Sequence, residues 1–182
     1  MTRRAGQADF YPTPTWATRA LLEKEQFDGE IWEPACGDGR MARVLAETGN
    51  LVLATDLNNF GFGETGVDFL ASDRRSANIV TNPPFNLAEE FLAKALESAR
   101  HKVALLLRLA FLEGAKRAVN IYDKAPPSRV WVLSERITMY PGHSKIAGNG
   151  TIAFAWFVWD KSYVGATQLG WIMPGLRAKF GA

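Results

Sequence analysis

Between residues 30 and 125 short apolar runs alternate with stretches patterned as amphipathic helices, and this alternation constrains the architecture more than any other feature. The runs are Ile31-Trp32 within the segment Glu30-Ile31-Trp32-Glu33-Pro34, Leu51-Val52-Leu53-Ala54-Thr55, Val67-Asp68-Phe69-Leu70, Ile79-Val80-Thr81 and Val103-Ala104-Leu105-Leu106-Leu107. Short, apolar and rich in β-branched residues, they read as buried strands. Helices are predicted over about 14–24, 40–48, 86–100 and 111–124, from apolar residues at helical spacing. Thr13 is the expected N-cap of the first, with Pro14 at its first helical position, and Asn86 the expected cap of the third. Val130-Trp131-Val132-Leu133 is a sixth strand and 151–159 the last, paired antiparallel. The expected fold is α/β: a doubly wound, mostly parallel seven-stranded sheet with an antiparallel last strand and helices on both faces. The expected organisation is one domain over 1–182, with a flexible N-terminus at 1–10, a long loop at 134–150 and a tail at 162–182 of no assigned role.

Within this frame two turns carry unusual chemistry. The first strand runs into Glu33-Pro34-Ala35-Cys36-Gly37-Asp38-Gly39, and a helix follows. Glycines let a ligand approach the backbone, and the helix N-terminus offers unpaired N–H groups. No third glycine follows at dinucleotide spacing, and no Gly-Lys-Ser or Gly-Lys-Thr is present. The second strand ends at Asp56, where such folds accept hydrogen bonds from ribose hydroxyls. Downstream, Phe69 or Leu70 is placed to wall an adenine ring, with Asp68 accepting from its amino group.

The second turn is Asn82-Pro83-Pro84-Phe85, directly after Ile79-Val80-Thr81. Proline has no N–H to pair and a fixed φ, so the strand must stop here. Asn82 is thereby held at the C-terminal edge of a strand, where open α/β sheets bind ligands.

The two turns together resemble the S-adenosylmethionine-dependent amino-methyltransferases of nucleic acids. The stretch from Glu33 to Gly39 looks like their cofactor motif, and Asn82-Pro83-Pro84-Phe85 like their catalytic tetrapeptide. Phe10-Tyr11-Pro12-Thr13-Pro14 is similar to the upstream segment that closes over the methionine part of the cofactor. The resemblance covers roughly residues 10–160 and is nearest to small phage or prophage DNA adenine-N6 methyltransferases. It implies a Rossmann-like class I methyltransferase using S-adenosylmethionine and no metal, in the cytoplasm of a bacterial or phage-infected cell. It implies cofactor contacts from Tyr11, Thr13, Glu33, Ala35, Cys36, Gly37, Gly39, Asp56, Leu57, Asp68, Phe69 and Asn82.

The residue types suit the implied reaction. The lone pair of an exocyclic amino group is delocalised into its ring. Two acceptors aimed at its hydrogens favour a localised pair, and the Asn82 side-chain oxygen and Pro83 carbonyl are the expected two. The stiff Pro83-Pro84 pair orients them, Phe85 stacks on the base, and a duplex base must be flipped out. RNA amino and protein glutamine methyltransferases share the tetrapeptide's form, and a catalytically inactive module binding cofactor or nucleic acid is the remaining alternative.

Composition bounds the rest. Hydrophobic residues make up 47% of the 182, which excludes a disordered chain. The net charge of +2 is compatible with nucleic-acid binding without requiring it. The single cysteine, Cys36, excludes an intrachain disulfide and reads as a small buried filler. The N-terminus lacks the apolar core of a signal peptide, and no run is apolar enough to span a membrane. Two histidines, His101 and His143, make a zinc site a poor expectation. No separate target-recognition domain is expected. Tyr140, His143 and Lys145 are the candidates for substrate contact, and Arg3, Arg4, Lys116, Arg117 and Lys145 for phosphate. A homodimer or a partner subunit would then supply target specificity.

Overall fold

The computed structural model describes residues 10–139 and 152–181. Tyr140, His143, Lys145, Arg3 and Arg4 lie outside the described residues. The chain runs α1 (Thr15–Leu22), β1 (Ile31–Glu33), α2 (Arg40–Ala46), β2 (Val52–Asp56), β3 (Glu64–Thr65), β4 (Ser76–Thr81), α3 (Ala88–Ser98) and β5 (Ala99–Arg108). A broken helical stretch containing α4 (Ala115–Arg117) follows, then β6 (Arg129–Leu133), β7 (Phe154–Asp160), β8 (Gln168–Ile172) and α5 (Leu176–Phe180). The strands form one sheet ordered β3-β2-β1-β4-β5-β7-β6-β8. Its pairings are parallel except those of β7, which runs antiparallel to both β5 and β6.

Burial on both sheet faces explains the continuous apolar strands. Ile31 and Val80 pack with Trp16, Leu21, Met41 and Leu45 on one face. Their neighbours Trp32 and Ile79 turn to the other face, against Phe69, Phe91 and Leu92. β4 has no exposed residue, as expected of a central strand covered by helices. At the N-terminal edge of β5 and β6, buried Glu25 pairs with Arg129 and Lys102, which also reach Asp160. These four charges satisfy one another.

Several expected elements differ. An eighth strand, β8, arises from the tail and pairs with β6, and α5 packs on α1 through a Lys179–Glu23 ion pair. The third strand lies at Glu64–Thr65, not at 67–70. There Asp68 Oδ1 accepts from the Leu70 N–H, and the Phe69 ring wedges between Trp32 and Phe91, leaving no ladder geometry. The helix expected over 111–124 is broken into a 3₁₀ turn, α4 and a π turn. Gly114 interrupts it at φ 114°, and the Arg117 guanidinium bonds the Phe111 and Glu113 carbonyls. The first helix begins at Thr15 with Pro14 as its cap residue; the Thr13 hydroxyl accepts from Asn82 instead. Asn86 sits inside a 3₁₀ turn ahead of α3 and makes no cap bond.

Candidate active site

The sheet order reverses between β1 and β4, because β2 lies on one side of β1 and the chain returns to add β4 on the other. Crevices at such points lie outside the carboxyl ends of the strands. A cavity of about 530 Å³ opens there, walled by residues that follow β1, β2 and β4 and by residues 10–13.

The glycine turn forms its floor. Gly37 and Gly39 adopt left-handed φ values of 53° and 78°. Rings occupy the space a side chain would need: Phe10 lies over Gly37 and Phe62 over Gly39. Asp56 ties this turn to β2. Its Oδ2 accepts from the Gly37 N–H at 2.9 Å, and its Oδ1 from the Asn58 N–H at 2.8 Å. Each oxygen keeps a further lone pair for a ligand hydroxyl.

The cavity wall is acidic. Glu33, Asp38, Asp56 and Asp68 line it, and the one cation among the lining residues, Arg40, pairs with Asp38 at 2.8 Å. Glu33 is buried, and its Oε2 has no partner among the described residues. Burial raises its carboxyl well above the ordinary range; the Ala42 N–H at the start of α2 opposes that rise, and the charges of Asp56 and Asp38 add to it. Burial, with Glu33 and Asp56 nearby, pushes the Cys36 thiol up to about 12. It stays protonated at neutral pH and is no nucleophile.

Across the cavity, Asn82 leaves the end of β4. Its Nδ2 donates to Thr13 Oγ1 at 3.0 Å and to the Tyr11 carbonyl at 3.3 Å, and contacts Met139 Sδ at 3.7 Å. Its Oδ1 is buried with no partner among the described residues. The Pro84 carbonyl accepts from the Leu87 N–H, whereas nothing among the described residues donates to the Pro83 carbonyl. The Phe85 ring meets Tyr11 and Phe154, with centroids 5.3 and 5.8 Å away. The Arg108 guanidinium lies 4.5 Å from its centroid.

The cavity thus unites Tyr11, Thr13, Glu33, Ala35, Cys36, Asp56, Leu57, Asp68, Phe69, Asn82, Pro83, Pro84 and Phe85. Gly37 and Gly39 shape the turn and are covered by rings rather than lining the space. Phe69 is 2% exposed, with its ring in the core, so it offers the cavity little surface. Of the expected phosphate contacts, Arg117 is engaged by carbonyls and by Glu89, whereas Lys116 is exposed. Three contributors were not anticipated from sequence: Phe60, stacked on Phe10 at 4.4 Å, Met139 and Arg108. The alternation Phe60-Gly61-Phe62-Gly63 was a visible signal for the first. Met139 and Arg108 had none, since each arrives through sheet topology.

No protein-family model matches the chain, and no curated protein matches it by sequence. Solved structures match it through their fold. One, assigned as a type I restriction enzyme modification subunit from Vibrio vulnificus YJ016, is 15% identical at a TM-score of 0.62, covering 90% of this chain and 46% of that one. A second, assigned to the class I S-adenosylmethionine-dependent methyltransferases, from Listeria monocytogenes, is 13% identical at 0.64, covering 96% and 69%. A third, the magnesium protoporphyrin IX methyltransferase of Synechocystis PCC 6803 with bound S-adenosylmethionine, is 12% identical at 0.51, covering 79% and 76%. The chain has the Rossmann-like fold of class I methyltransferases, and it spans about half the length of the modification subunit.

Proposed function

We propose that the protein is an S-adenosylmethionine-dependent methyltransferase acting on the exocyclic amino group of adenine in DNA. The observation that carries this reading is a pair of acceptors at the end of β4, Asn82 Oδ1 and the Pro83 carbonyl, that have no donor among the described residues. A buried acceptor without a donor is costly, so a partner with N–H groups is its natural occupant. An amino group offers two hydrogens to two fixed acceptors, which favours a localised lone pair on its nitrogen.

The cavity suits the cofactor. Its acidic wall favours a ligand of net positive charge and disfavours a pyrophosphate. Glu33 Oε2 fits an ammonium group, and the remaining Asp56 lone pairs fit ribose hydroxyls. When bound, the sulfonium supplies an activated methyl group and its own leaving group. The protein's residues hold the acceptor nitrogen, whose surplus proton passes to solvent once the methyl group has been transferred; no side-chain nucleophile is needed, and the Cys36 thiol is unsuited to be one.

DNA is favoured by the neighbour assigned as a restriction-enzyme modification subunit. Arg108 supports a polyanionic substrate, since this exposed cation at the catalytic turn has no acidic partner among the described residues. A base stacking on Phe85 from that side displaces the guanidinium, freeing it for a phosphate. Arg108→Ala is expected to raise KM for DNA several-fold and to reduce the dependence of binding on salt by about one ion, with cofactor affinity unchanged. Salt titrations of binding check this.

The deciding experiment uses labelled S-adenosylmethionine with DNA, RNA and protein extracts in competition, followed by mass spectrometry of released nucleosides. Label in N6-methyladenine of DNA is expected. Label confined to RNA or to glutamine would move the substrate assignment, and cofactor binding without transfer to any acceptor would leave a binding module. Target choice by a second copy or a partner subunit belongs to the same proposal, and co-purification tests it.

A further inference from the structure

Residues 10–13 fasten onto both turns of the cavity: Phe10 covers Gly37, Tyr11 packs on Phe85, and Tyr11 and Thr13 hold Asn82. The last contact has a chemical direction. A backbone carbonyl and a thioether only accept hydrogen bonds. With the Tyr11 carbonyl at 3.3 Å and Met139 Sδ at 3.7 Å, the group facing them must be the NH₂ of Asn82. A flipped amide would set oxygen against oxygen. Thr13, itself 6% exposed, takes the shortest of the three bonds. The amide oxygen is left on the other side, buried and with no partner among the described residues.

We infer that Thr13 is a positioning residue that holds the Asn82 amide in the one orientation the acceptor-only Tyr11 carbonyl and Met139 Sδ allow, and that this setting commits the site to asparagine rather than aspartate. The inference rests on the reading of Asn82 as the acceptor for a substrate amino group. An aspartate carboxylate at position 82 would keep a donor in the Thr13 hydroxyl but set the same oxygen against the Tyr11 carbonyl and Met139 Sδ, which cannot donate. Protonated, it could donate to the Tyr11 carbonyl and still present a carbonyl oxygen to the substrate. The resemblance to known methyltransferases assigns Thr13 to the cofactor, whereas here its hydroxyl accepts from Asn82, so the two roles predict different kinetics.

Thr13→Val is expected to lower kcat about 10-fold, the scale of one buried hydrogen bond, with cofactor Kd within twofold of wild type. Thr13→Ser restores kcat. Asn82→Asp is expected to lose activity tenfold per pH unit above its carboxyl pKa, taken as the ratio to wild type at each pH. A readout free of turnover comes from the Asn82 side-chain NH₂ resonances, assigned by their absence in Asn82→Ala. They exchange slowly with water in wild type, at least tenfold faster in Thr13→Val, and slowly again in Thr13→Ser. Unchanged exchange in Thr13→Val overturns the inference whether or not the protein transfers methyl groups. So does a loss of cofactor affinity with kcat preserved, or an Asn82→Asp variant with the wild-type pH profile. Wild-type protein that methylates nothing, yet shows the exchange pattern, refutes the proposed function and leaves the orientation standing.

Discussion

Asn82→Ala lowers kcat by about 10²–10³-fold while cofactor affinity stays within a few-fold of wild type. This magnitude is the usual cost of deleting one preorganised polar group that acts where charge develops. The effect falls on kcat because, in the proposed reaction, Oδ1 accepts from the substrate amino group, whereas the cofactor's expected contacts lie with Glu33 and Asp56. The variant also strands two acceptors, Thr13 Oγ1 and the Tyr11 carbonyl, that Nδ2 had satisfied. A loss of about 1–3 kcal/mol in folding stability accompanies it. Single-turnover methyl transfer, calorimetric cofactor binding and chemical denaturation separate these three quantities. A kcat close to wild type would show that the amide oxygen takes no part in transfer. The substrate's amino group would then have to be activated elsewhere.

How the site came to be legible from sequence bears on that prediction. Asn82-Pro83-Pro84-Phe85 declared itself because proline acts locally: it ends β4 whatever surrounds it, and so fixes the place of Asn82. Gly37 and Gly39 were visible for the same reason, since their left-handed backbone is a local requirement. The orientation of the amide was not visible. It depends on Tyr11 and Met139, 71 and 57 residues away in sequence, and only the fold brings an acceptor-only group from each beside Nδ2. Thr13 was misread as a helix cap because Thr before Pro fits that pattern locally, while a long-range bond to Asn82 claims its hydroxyl. The tail was unreadable for a different cause. Gln168-Leu169-Gly170-Trp171-Ile172 is an edge strand with only Ile172 buried, so it carries little of the apolar continuity that marked the central strands. Its glycine is explained by the Trp131 ring, which occupies the space of a Cβ at Gly170.

Glu33 carries the second large effect. Its carboxyl is raised well above the ordinary range by burial, with Asp56 and Asp38 adding to the rise against the Ala42 N–H. In the ligand-free folded protein it therefore retains a proton at pH values where the unfolded chain, with a carboxyl near 4.3, has released it. The folded state binds more protons throughout that window, so this group's contribution to stability falls as pH climbs from the unfolded value toward the folded one. Glu33→Gln cannot ionise. Its stability relative to wild type is expected to increase over the same window, as thermal denaturation across a pH series would show. Cofactor binding reverses the balance. An ammonium beside Oε2 favours the carboxylate, so binding releases up to one proton per site below the raised folded value. Calorimetry in buffers of different ionisation enthalpy counts that proton. Glu33→Gln is expected to release none and to bind S-adenosylmethionine and S-adenosylhomocysteine about 10- to 100-fold more weakly, the range of a hydrogen bond to a charged group. Equal weakening for both ligands matters, because they share the ammonium and differ in the sulfonium. A selective loss for S-adenosylmethionine would assign Glu33 to the sulfonium charge instead, and wild-type affinity in the variant would remove it from the cofactor site.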